Sequence, residues 1–192
     1  NPYDAANGLA GGLISVFVSR DPRMVCLHAG AARVGDGLVV VIGDSFAGKS
    51  SVALHLAVLG NRFFGDDQIA VTLENCGDAF REFVDGYSSM QGDDMAYLKL
   101  WEGEAATFGD AAPVRALVFL DRTETGAAGL RPASQPELVK AMVRTAFAPH
   151  IPSSDLLAGL TRLADATEAY HLRFSSSRHA ATLLSQEFRK RD

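Results

Sequence analysis

The sequence predicts an α/β domain, and three observations support that prediction. An apolar run at residues 38–42 leads directly into the pattern Gly43-x-x-x-x-Gly48-Lys49-Ser50, and a stretch with helical spacing follows it. Two further apolar runs rich in β-formers, at residues 114–120 and 169–174, are separated by stretches with helical periodicity. Strands that alternate with helices in this way are typical of domains in which helices pack on a sheet.

Length and composition indicate one domain spanning residues 1–192, with residues 1–12 as an adaptable lead-in. Of the 192 residues, 47% are apolar, which is enough material for a single core. The net charge of −5 argues against a nucleic-acid or anionic-membrane partner. No apolar run approaches the ~20 residues of a membrane span, and no secretory signal is visible, so we expect a cytoplasmic protein. Cys26 and Cys76 lack metal-ligand spacing and are expected to be free thiols.

Periodicity and turn residues predict the other elements. Gly35-Asp36-Gly37 is a tight hairpin signal, Gly60-Asn61 ends the helix after the glycine-containing loop, and Ser134 is placed to cap a later helix. The predicted strands cover residues 13–19, 24–28, 38–42, 62–64, 68–73, 97–101, 114–120 and 169–174. The predicted helices cover residues 50–59, 134–147, 153–164 (capped by Ser153 or Ser154) and 175–191. The predicted loops include residues 88–94 and a polar connection at 121–132.

The pattern at residues 43–50 is the phosphate-binding P-loop, or Walker A, pattern, and it lies in the strand–loop–helix context that supports it. Its glycines let the backbone curl so that successive N–H groups point at phosphates, and the helix N-terminus adds its positive end. Lys49 supplies a point charge for the outer phosphates, and the Ser50 hydroxyl can ligate Mg²⁺. The residues predicted to bind the nucleotide are Gly43, Asp44, Ser45, Phe46, Ala47, Gly48, Lys49, Ser50 and Ser51.

Two adjacent carboxylates, Asp66 and Asp67, stand at the end of the strand after the P-loop helix. Near a phosphate loop, one carboxylate can hold Mg²⁺ while the other takes the proton from an attacking hydroxyl. Their proximity is expected to raise one carboxyl pKa and to couple the two titrations. We assign Asp67 to the metal with Ser50 and keep both carboxylates as catalytic candidates, because the sequence leaves open which one is the base. The alternative interpretation is a solvated Asp-Asp turn.

His28 ends the predicted strand before the hairpin. If that strand pairs beside residues 38–42, His28 comes near the phosphate end of the sheet, where it can hydrogen-bond a phosphoryl group or orient the acceptor. A lone histidine on an apolar strand is more often a packing residue. No pair of histidines has metal-ligand spacing, so no zinc site is predicted.

Four other basic side chains are weaker candidates. Lys99 either reaches phosphate or stands on a surface strand. An arginine that neutralises charge in a transition state is Arg115, Arg122 or Arg131, which lie in or beside the strand at 114–120 and the connection that follows it. The sequence does not choose among the three.

In this order, the motifs resemble the catalytic domain of HPr kinase/phosphorylase, and more closely the smaller HPr-kinase-related serine kinases. The resemblance is dense over residues 24–73. It implies a mixed β-sheet P-loop kinase domain of the kind shared with PEP carboxykinases, with helices packed on the sheet. It also implies one site made by His28, the P-loop with Lys49, and Asp66-Asp67, in which an aspartate acts on a protein serine. The motifs that carry it are Leu27-His28-Ala29-Gly30-Ala31, the hairpin, Gly43-Asp44-Ser45-x-x-Gly48-Lys49-Ser50, and Asn61-Arg62-Phe63-Phe64-Gly65-Asp66-Asp67.

Three features depart from that family. Phe46 stands where HPr kinases usually have a third glycine, so the loop is bulkier and its backbone is less free. The downstream Arg-Gly-Leu-Gly-type motif, which carries a metal-associated glutamate, has no convincing counterpart. The extra N-terminal domain of the longer enzymes also has no counterpart in this sequence. These departures argue against HPr itself as the substrate and against the reverse, phosphorolytic reaction.

The sequence therefore predicts an ATP- and Mg²⁺-dependent kinase that transfers the γ-phosphoryl group to a hydroxyl, with serine of a protein or peptide as the expected acceptor. The resemblance also allows a homo-oligomer, because HPr kinases form hexamers. Two alternatives stay open: a small-molecule kinase of the same fold, and a nucleotide-binding regulatory module with little turnover. The recognisable motifs do not distinguish ATP from GTP.

Overall fold

A computed structural model of the chain places the strand that feeds the P-loop inside a large mixed sheet. The structure describes residues 9, 11–13, 15–16, 18–73, 78–80, 88–91, 94–97 and 111–190. The strands are β1 (Met24–Leu27), β2 (Ala29–Val34), β3 (Gly37–Ile42), β4 (Arg62–Gly65), β5 (Ile69–Thr72), β6 (Asp78–Phe80), β7 (Ser88–Gln91), β8 (Asp94–Tyr97), β9 (Ala111–Arg122), β10 (Gly129–Pro132), β11 (Ala146–Phe147) and β12 (Glu168–Phe174). The helices are α1 (Lys49–Val58), α2 (Gln135–Thr145), α3 (Ser153–Ala166) and α4 (Ser177–Arg189).

The main sheet has ten strands, and its order runs β11-β1-β5-β6-β9-β3-β2-β4, with β12 on β9 and β10 on β12. The long strand β9 pairs in parallel with β3 and β12, for example Val41 with Val118 and Leu172 with Leu120. The other pairs of this sheet are antiparallel, including the β2–β3 hairpin that turns at Gly35-Asp36 as predicted. The sheet is therefore mixed, and the predicted α/β class is confirmed.

Helices cover both faces of the sheet, because the central strands are apolar on both faces. In β3, Leu38, Val40 and Ile42 face one core, while Val39 and Val41 face the other. Helices α2 and α3 pack on the first face, and α1 and α4 on the second. The helix residues that fill these cores are Leu138, Met142, Leu160 and Leu163 on the first face, and Val52, Leu56, Leu184 and Phe188 on the second.

The end of α1 is fixed by a side-chain network as well as by a glycine turn. Gly60, with φ 79°, donates to the Ala57 carbonyl at 2.9 Å, and the Asn61 N–H donates to the Leu56 carbonyl at 3.1 Å. The buried Asn61 amide also donates to the Leu56 carbonyl and to the Ser185 hydroxyl. Arg189, at the end of α4, donates to Asn61 Oδ1 from Nε and Nη2, at 3.0 and 2.9 Å. The helix that begins at the P-loop is thus anchored at its far end.

The prediction of a strand at residues 13–19 is wrong. The described residues from 13 to 18 are helical, and the Ser19 N–H donates to the Ser15 carbonyl at 3.0 Å. Val18 is fully buried against Met24, Cys26 and Ala70. Packing of this helical side chain on the sheet outweighs the strand preference of a β-branched run.

Several other boundaries differ from the predictions. Residues 88–91 form β7, paired with β8, where a loop was expected, and β10 lies inside the predicted polar connection. Helix α2 ends at Thr145, because the next two residues pair with β1. Pro152, rather than Ser153 or Ser154, takes the N-cap position of α3. Tyr97 ends β8, while the rest of the predicted strand at 97–101, Lys99 included, lies outside the described residues.

Two expectations from composition can be compared with the described part of the chain. No helix there is long and apolar enough to cross a membrane. Cys26 is buried and forms no disulfide within the described residues, and its thiol points at Gln68 Oε1 at 3.9 Å. Cys76 lies outside the described residues.

Candidate functional site

The site lies where two short connections between strands run side by side. One segment runs from β1 through His28 into β2, and the other runs from β4 through residues 66–68 into β5. Because β1 pairs with β5 and β2 pairs with β4, both antiparallel, His28 and Asp67 are brought opposite each other. The strand that ends before His28 pairs with β5 and β11, so the condition considered from the sequence, that this strand pairs beside residues 38–42, is not met. His28 still lies at the end of β3 from which the P-loop begins, because the next residue, Ala29, pairs with Ile42.

His28 and Asp67 form a direct pair. The His28 Nδ1 lies 2.9 Å from Asp67 Oδ1 and 3.0 Å from the Asp67 backbone carbonyl oxygen, so Nδ1 carries the proton and donates to both. The hydrogen bond that His28 donates to Asp67 raises the pKa of His28, and the same bond lowers the pKa of Asp67. Asp67 has φ 67°, a left-handed conformation that aspartate tolerates better than bulkier residues. The pair uses Nδ1 of His28, and the His28 side chain is 44% exposed.

Asp66 differs from its neighbour. Both of its carboxylate oxygens are buried, and neither has a well-formed hydrogen bond within the described residues. Burial raises the pKa of Asp66, while the nearby Ser50 hydroxyl and Asp67 amide partly oppose that shift. A buried carboxylate without a strong donor is costly unless a cation binds to it. This side chain therefore has the character of a ligand group rather than of a solvated turn.

The P-loop connects β3 to α1. Gly48, with φ 98°, takes the N-cap position, and Lys49, Ser50 and Ser51 form the first turn, whose N–H groups have no acceptor within the helix. Lys49 is only 6% exposed, and its Nζ donates to the carbonyls of Gly43 at 3.2 Å and Asp44 at 3.1 Å. Burial lowers the pKa of Lys49, and the charges of Asp66, Asp67 and Asp44 oppose that shift. The cation is thus held within the curl of the loop, with its third donor position unused by these bonds.

Gly30 explains how β2 approaches α1 so closely. A Cβ at this position would lie 3.1 Å from the Lys49 carbonyl oxygen, 3.2 Å from the Ala53 Cβ and 3.3 Å from Asp66 Oδ1. Glycine therefore lets the strand touch the first turn of α1 and the buried carboxylate at once. The glycine in the His-Ala-Gly-Ala stretch is a packing requirement of the site.

Phe46 is an outlier in the loop. Its φ is 65°, a conformation that costs a bulky residue about 1–2 kcal/mol. Its side chain is 97% exposed, so the ring projects away from the protein and does not fill the space inside the loop. Between Asp44 and Ala47 the loop makes a tight turn, in which the Ala47 N–H donates to the Asp44 carbonyl at 3.1 Å.

The structure brings Arg144 to the loop, which sequence reasoning missed. The Arg144 Nη2 lies 2.8 Å from Asp44 Oδ1, although the two residues are 100 positions apart. No local signal identifies this arginine, because it is one of several polar residues on an amphipathic helix. Only the pairing of β11 with β1 reveals where the end of α2 lies.

The three arginines predicted from the sequence separate in space. Arg115 pairs with Asp36 at 3.1 Å, at the hairpin end of β3 and away from the P-loop. Arg131 lines a cavity of about 430 Å³ with His171 and Arg173. Arg122 lines a larger cavity of about 610 Å³ that adjoins the loop at Phe46. Of the three, Arg122 is therefore the one that borders the candidate site.

The charges and donors at this site fit a divalent cation with a phosphate ligand. Ser50, Asp66 and Asp67 supply hydroxyl and carboxylate oxygens, which Mg²⁺ prefers, and the buried oxygens of Asp66 lack a strong donor. Among the described residues, no cluster of three or more His, Cys, Asp or Glu side chains could hold a metal ion by itself. A cation here would therefore need oxygens from a bound substrate, as Mg²⁺ in phosphoryl-transfer sites usually has.

Comparison with solved structures finds a similar fold in an HPr(Ser) kinase/phosphatase from Coxiella burnetii, with a TM-score of 0.50 and 16% sequence identity. The match covers 86% of this chain and 95% of the other. At this identity the likeness shows the fold alone, which agrees with the mixed sheet described above. No family model matches the chain, and no curated protein does.

Proposed function

We propose that this chain is a kinase that uses ATP and Mg²⁺ to transfer the γ-phosphoryl group to a hydroxyl, with serine of a protein or peptide as the acceptor. The observation that carries the proposal is that the backbone carbonyl of the buried Lys49 and the buried carboxylate of Asp66 lie against the same face of Gly30, where the charge of Asp66 acts on Lys49. These residues then form one phosphoryl-transfer site. In it, the Lys49 ammonium binds phosphate, the Asp66 carboxylate binds the metal, and the half-exposed His28–Asp67 pair lies beside them.

Burial divides the roles of the two aspartates. The oxygens of Asp66 are buried next to Ser50, so Asp66 suits the metal, with the Ser50 hydroxyl as its companion. Asp67 has a side chain that is 54% exposed, so an incoming hydroxyl can reach it. We therefore propose Asp66 for the metal and Asp67 for the base, which reverses the metal assignment made from the sequence. Bound Mg²⁺ would neutralise charge that develops on the phosphate oxygens.

The proposed step is an in-line displacement. The acceptor hydroxyl oxygen forms a bond to the γ-phosphorus while the bond from that phosphorus to the β,γ-bridging oxygen breaks, and ADP leaves. Asp67 accepts the hydroxyl proton, and the proton on His28 Nδ1 holds its carboxylate in place. Lys49 and the N–H groups at the start of α1 bind the phosphates. The nucleoside would then extend away from the aspartates, toward the cavity lined by Phe46 and Arg122.

The test is transfer of radiolabelled phosphate from ATP to candidate proteins and peptides, with Mg²⁺ present. We expect Lys49→Ala and Asp67→Asn to reduce transfer by at least about 100-fold. Lys140→Ala, an exposed charge on α2, is the matched control and is expected to keep full activity. Activity that survives both site substitutions would falsify this mechanism.

The acceptor class has its own test. A panel of small alcohols and sugars, assayed beside serine peptides, distinguishes a small-molecule kinase from a protein kinase. Binding of ATP in calorimetry without transfer to any acceptor would favour a regulatory module with little turnover. The exposed ring of Phe46 leaves the interior of the loop free, so the bulk of that ring gives no reason to prefer the regulatory alternative.

A further inference from the structure

The ion pair between Asp44 and Arg144 joins the P-loop to the last turn of α2. The Asp44 side chain is 80% exposed and the Arg144 side chain is 64% exposed. A pair this exposed contributes about 0–1 kcal/mol to folding. Its location at a phosphate-binding loop is therefore more informative than its strength.

The backbone that carries Arg144 is held firmly at the site. The Thr145 carbonyl accepts a hydrogen bond from the His28 N–H at 2.9 Å, and Ala146 pairs with Leu27. On the opposite side of α2, Leu138 and Met142 are fully buried. The end of the helix is therefore fixed beside the His28–Asp67 pair, while the exposed guanidinium is free to exchange partners.

The negative charge around the loop favours a second cationic side chain besides Lys49. Asp44, Asp66 and Asp67 all exert their negative charge on Lys49. Lys49 already donates to two loop carbonyls, and a nucleoside triphosphate adds further negative charge. Arginine stays charged at all relevant pH values, and its planar group binds phosphate through two parallel hydrogen bonds.

We propose that Arg144 is a phosphate-binding residue, which Asp44 holds beside the loop in the absence of nucleotide and releases to the outer phosphate of a bound nucleoside triphosphate. The inference rests on the proposed function, because it requires a triphosphate in the P-loop. Asp44 and the phosphate compete for the same guanidinium. Removal of the Asp44 charge should therefore strengthen triphosphate binding, and should do so more while Arg144 is present than in its absence.

The experiment is calorimetric titration of the full chain with MgATP and with MgADP. We expect Arg144→Gln to weaken MgATP binding about 10-fold to 100-fold and to weaken MgADP binding much less, because the contact is with the outermost phosphate. Arg144→Lys is expected to retain part of the affinity, since the charge stays and the bidentate geometry is lost. Lys140→Gln, at an exposed position one turn earlier on the same helix, is the charge-matched control and is expected to bind like the wild type.

A double-mutant cycle then tests the competition with Asp44. Asp44→Asn is expected to tighten MgATP binding several-fold in the wild-type background and much less in the Arg144→Gln background. A gain of the same size without Arg144 would mean that Asp44 acts only through Lys49 or on the nucleotide directly, which overturns the proposal. Equal MgATP binding by wild type and Arg144→Gln overturns it as well, and leaves the proposed function intact. A wild-type protein that binds neither nucleotide overturns both.

Discussion

The His28 Nδ1 lies between two acceptors of one residue, 2.9 Å from the carboxylate of Asp67 and 3.0 Å from the carbonyl of Asp67. Two antiparallel strand pairs meet at this point, so the contact is set by the sheet rather than by a flexible loop. Since Asp67 raises the pKa of His28, we expect Asp67→Asn to lower that pKa. The measurement is an NMR titration of the His28 ring Cε1–H in metal-free buffer, with the other histidines as internal controls. An unchanged His28 pKa would contradict the pairing.

The same pair predicts how stability depends on pH. The raised pKa of His28 means that its contribution is complete below about pH 6.5 and is lost as the pH rises through the folded-state value. The lowered pKa of Asp67 means that its contribution is present above about pH 4 and is lost as the pH falls through the folded-state value. The free energy of unfolding of the wild type should therefore exceed that of Asp67→Asn most between about pH 4 and 6.5. Both groups are half exposed, so we expect this difference, measured by urea unfolding, to be at most about 1 kcal/mol.

Asp66→Asn is expected to change stability in the opposite direction. Burial raises the pKa of Asp66, so the folded state binds more protons than the unfolded state, and stability falls as the pH rises through that range. Without metal, the substitution should stabilise the protein by about 1 kcal/mol at pH 7, as relief of strain at functional sites often does. The gain should shrink at and below about pH 4, where the unfolded-state carboxyl also becomes neutral. Urea unfolding at both pH values, with EDTA, measures it. A destabilised variant at pH 7 would show that the carboxylate is well solvated or paired.

Much of this site was predictable from the sequence, because its parts carry local patterns. The P-loop spacing, the hairpin glycines and the end of α1 at Gly60 each follow from backbone chemistry within a few residues. The predicted cluster of His28, Lys49 and Asp67 required a resemblance to a known family as well, since nothing local shows that the residue before β2 meets the residue after β4. Their assigned roles stay predictions.

The rest depends on long-range packing, which leaves no local trace. Arg144 reaches Asp44 only because β11 pairs with β1, and a two-residue strand after a helix has no periodicity to detect. The strand wrongly predicted at 13–19 has the composition of a strand, but burial of Val18 on the sheet decides its helical form. Arg122 could not be distinguished from Arg115 and Arg131 until the pairing of β9 was known.

The network at the far end of α1 predicts a large stability effect away from the site. Asn61→Ala removes the acceptor for the exposed Arg189, and it removes the buried donor to the Leu56 carbonyl and the Ser185 hydroxyl. We expect a loss of about 2–3 kcal/mol in the free energy of unfolding. Asn61→Asp keeps an acceptor for Arg189 and should lose less. Urea unfolding of both variants measures the difference, and a loss below about 0.5 kcal/mol for Asn61→Ala would contradict the network.

Gly30→Ala tests whether close contact between β2 and α1 sets the geometry of the site. The added Cβ would lie 3.1 Å from the Lys49 carbonyl and 3.2 Å from the Ala53 Cβ, so the first turn of α1 must move. Because the Lys49 carbonyl and the Asp66 carboxylate both lie against Gly30, one methyl group should shift these two residues together. We expect the free energy of unfolding, measured with urea, to fall by about 1–3 kcal/mol, and MgATP to bind more weakly in calorimetry. Gly129→Ala is the matched control, since a Cβ there has no atom within 4 Å, and it should change neither quantity. If Gly30→Ala loses stability but binds MgATP like the wild type, the contact supports folding without positioning the site.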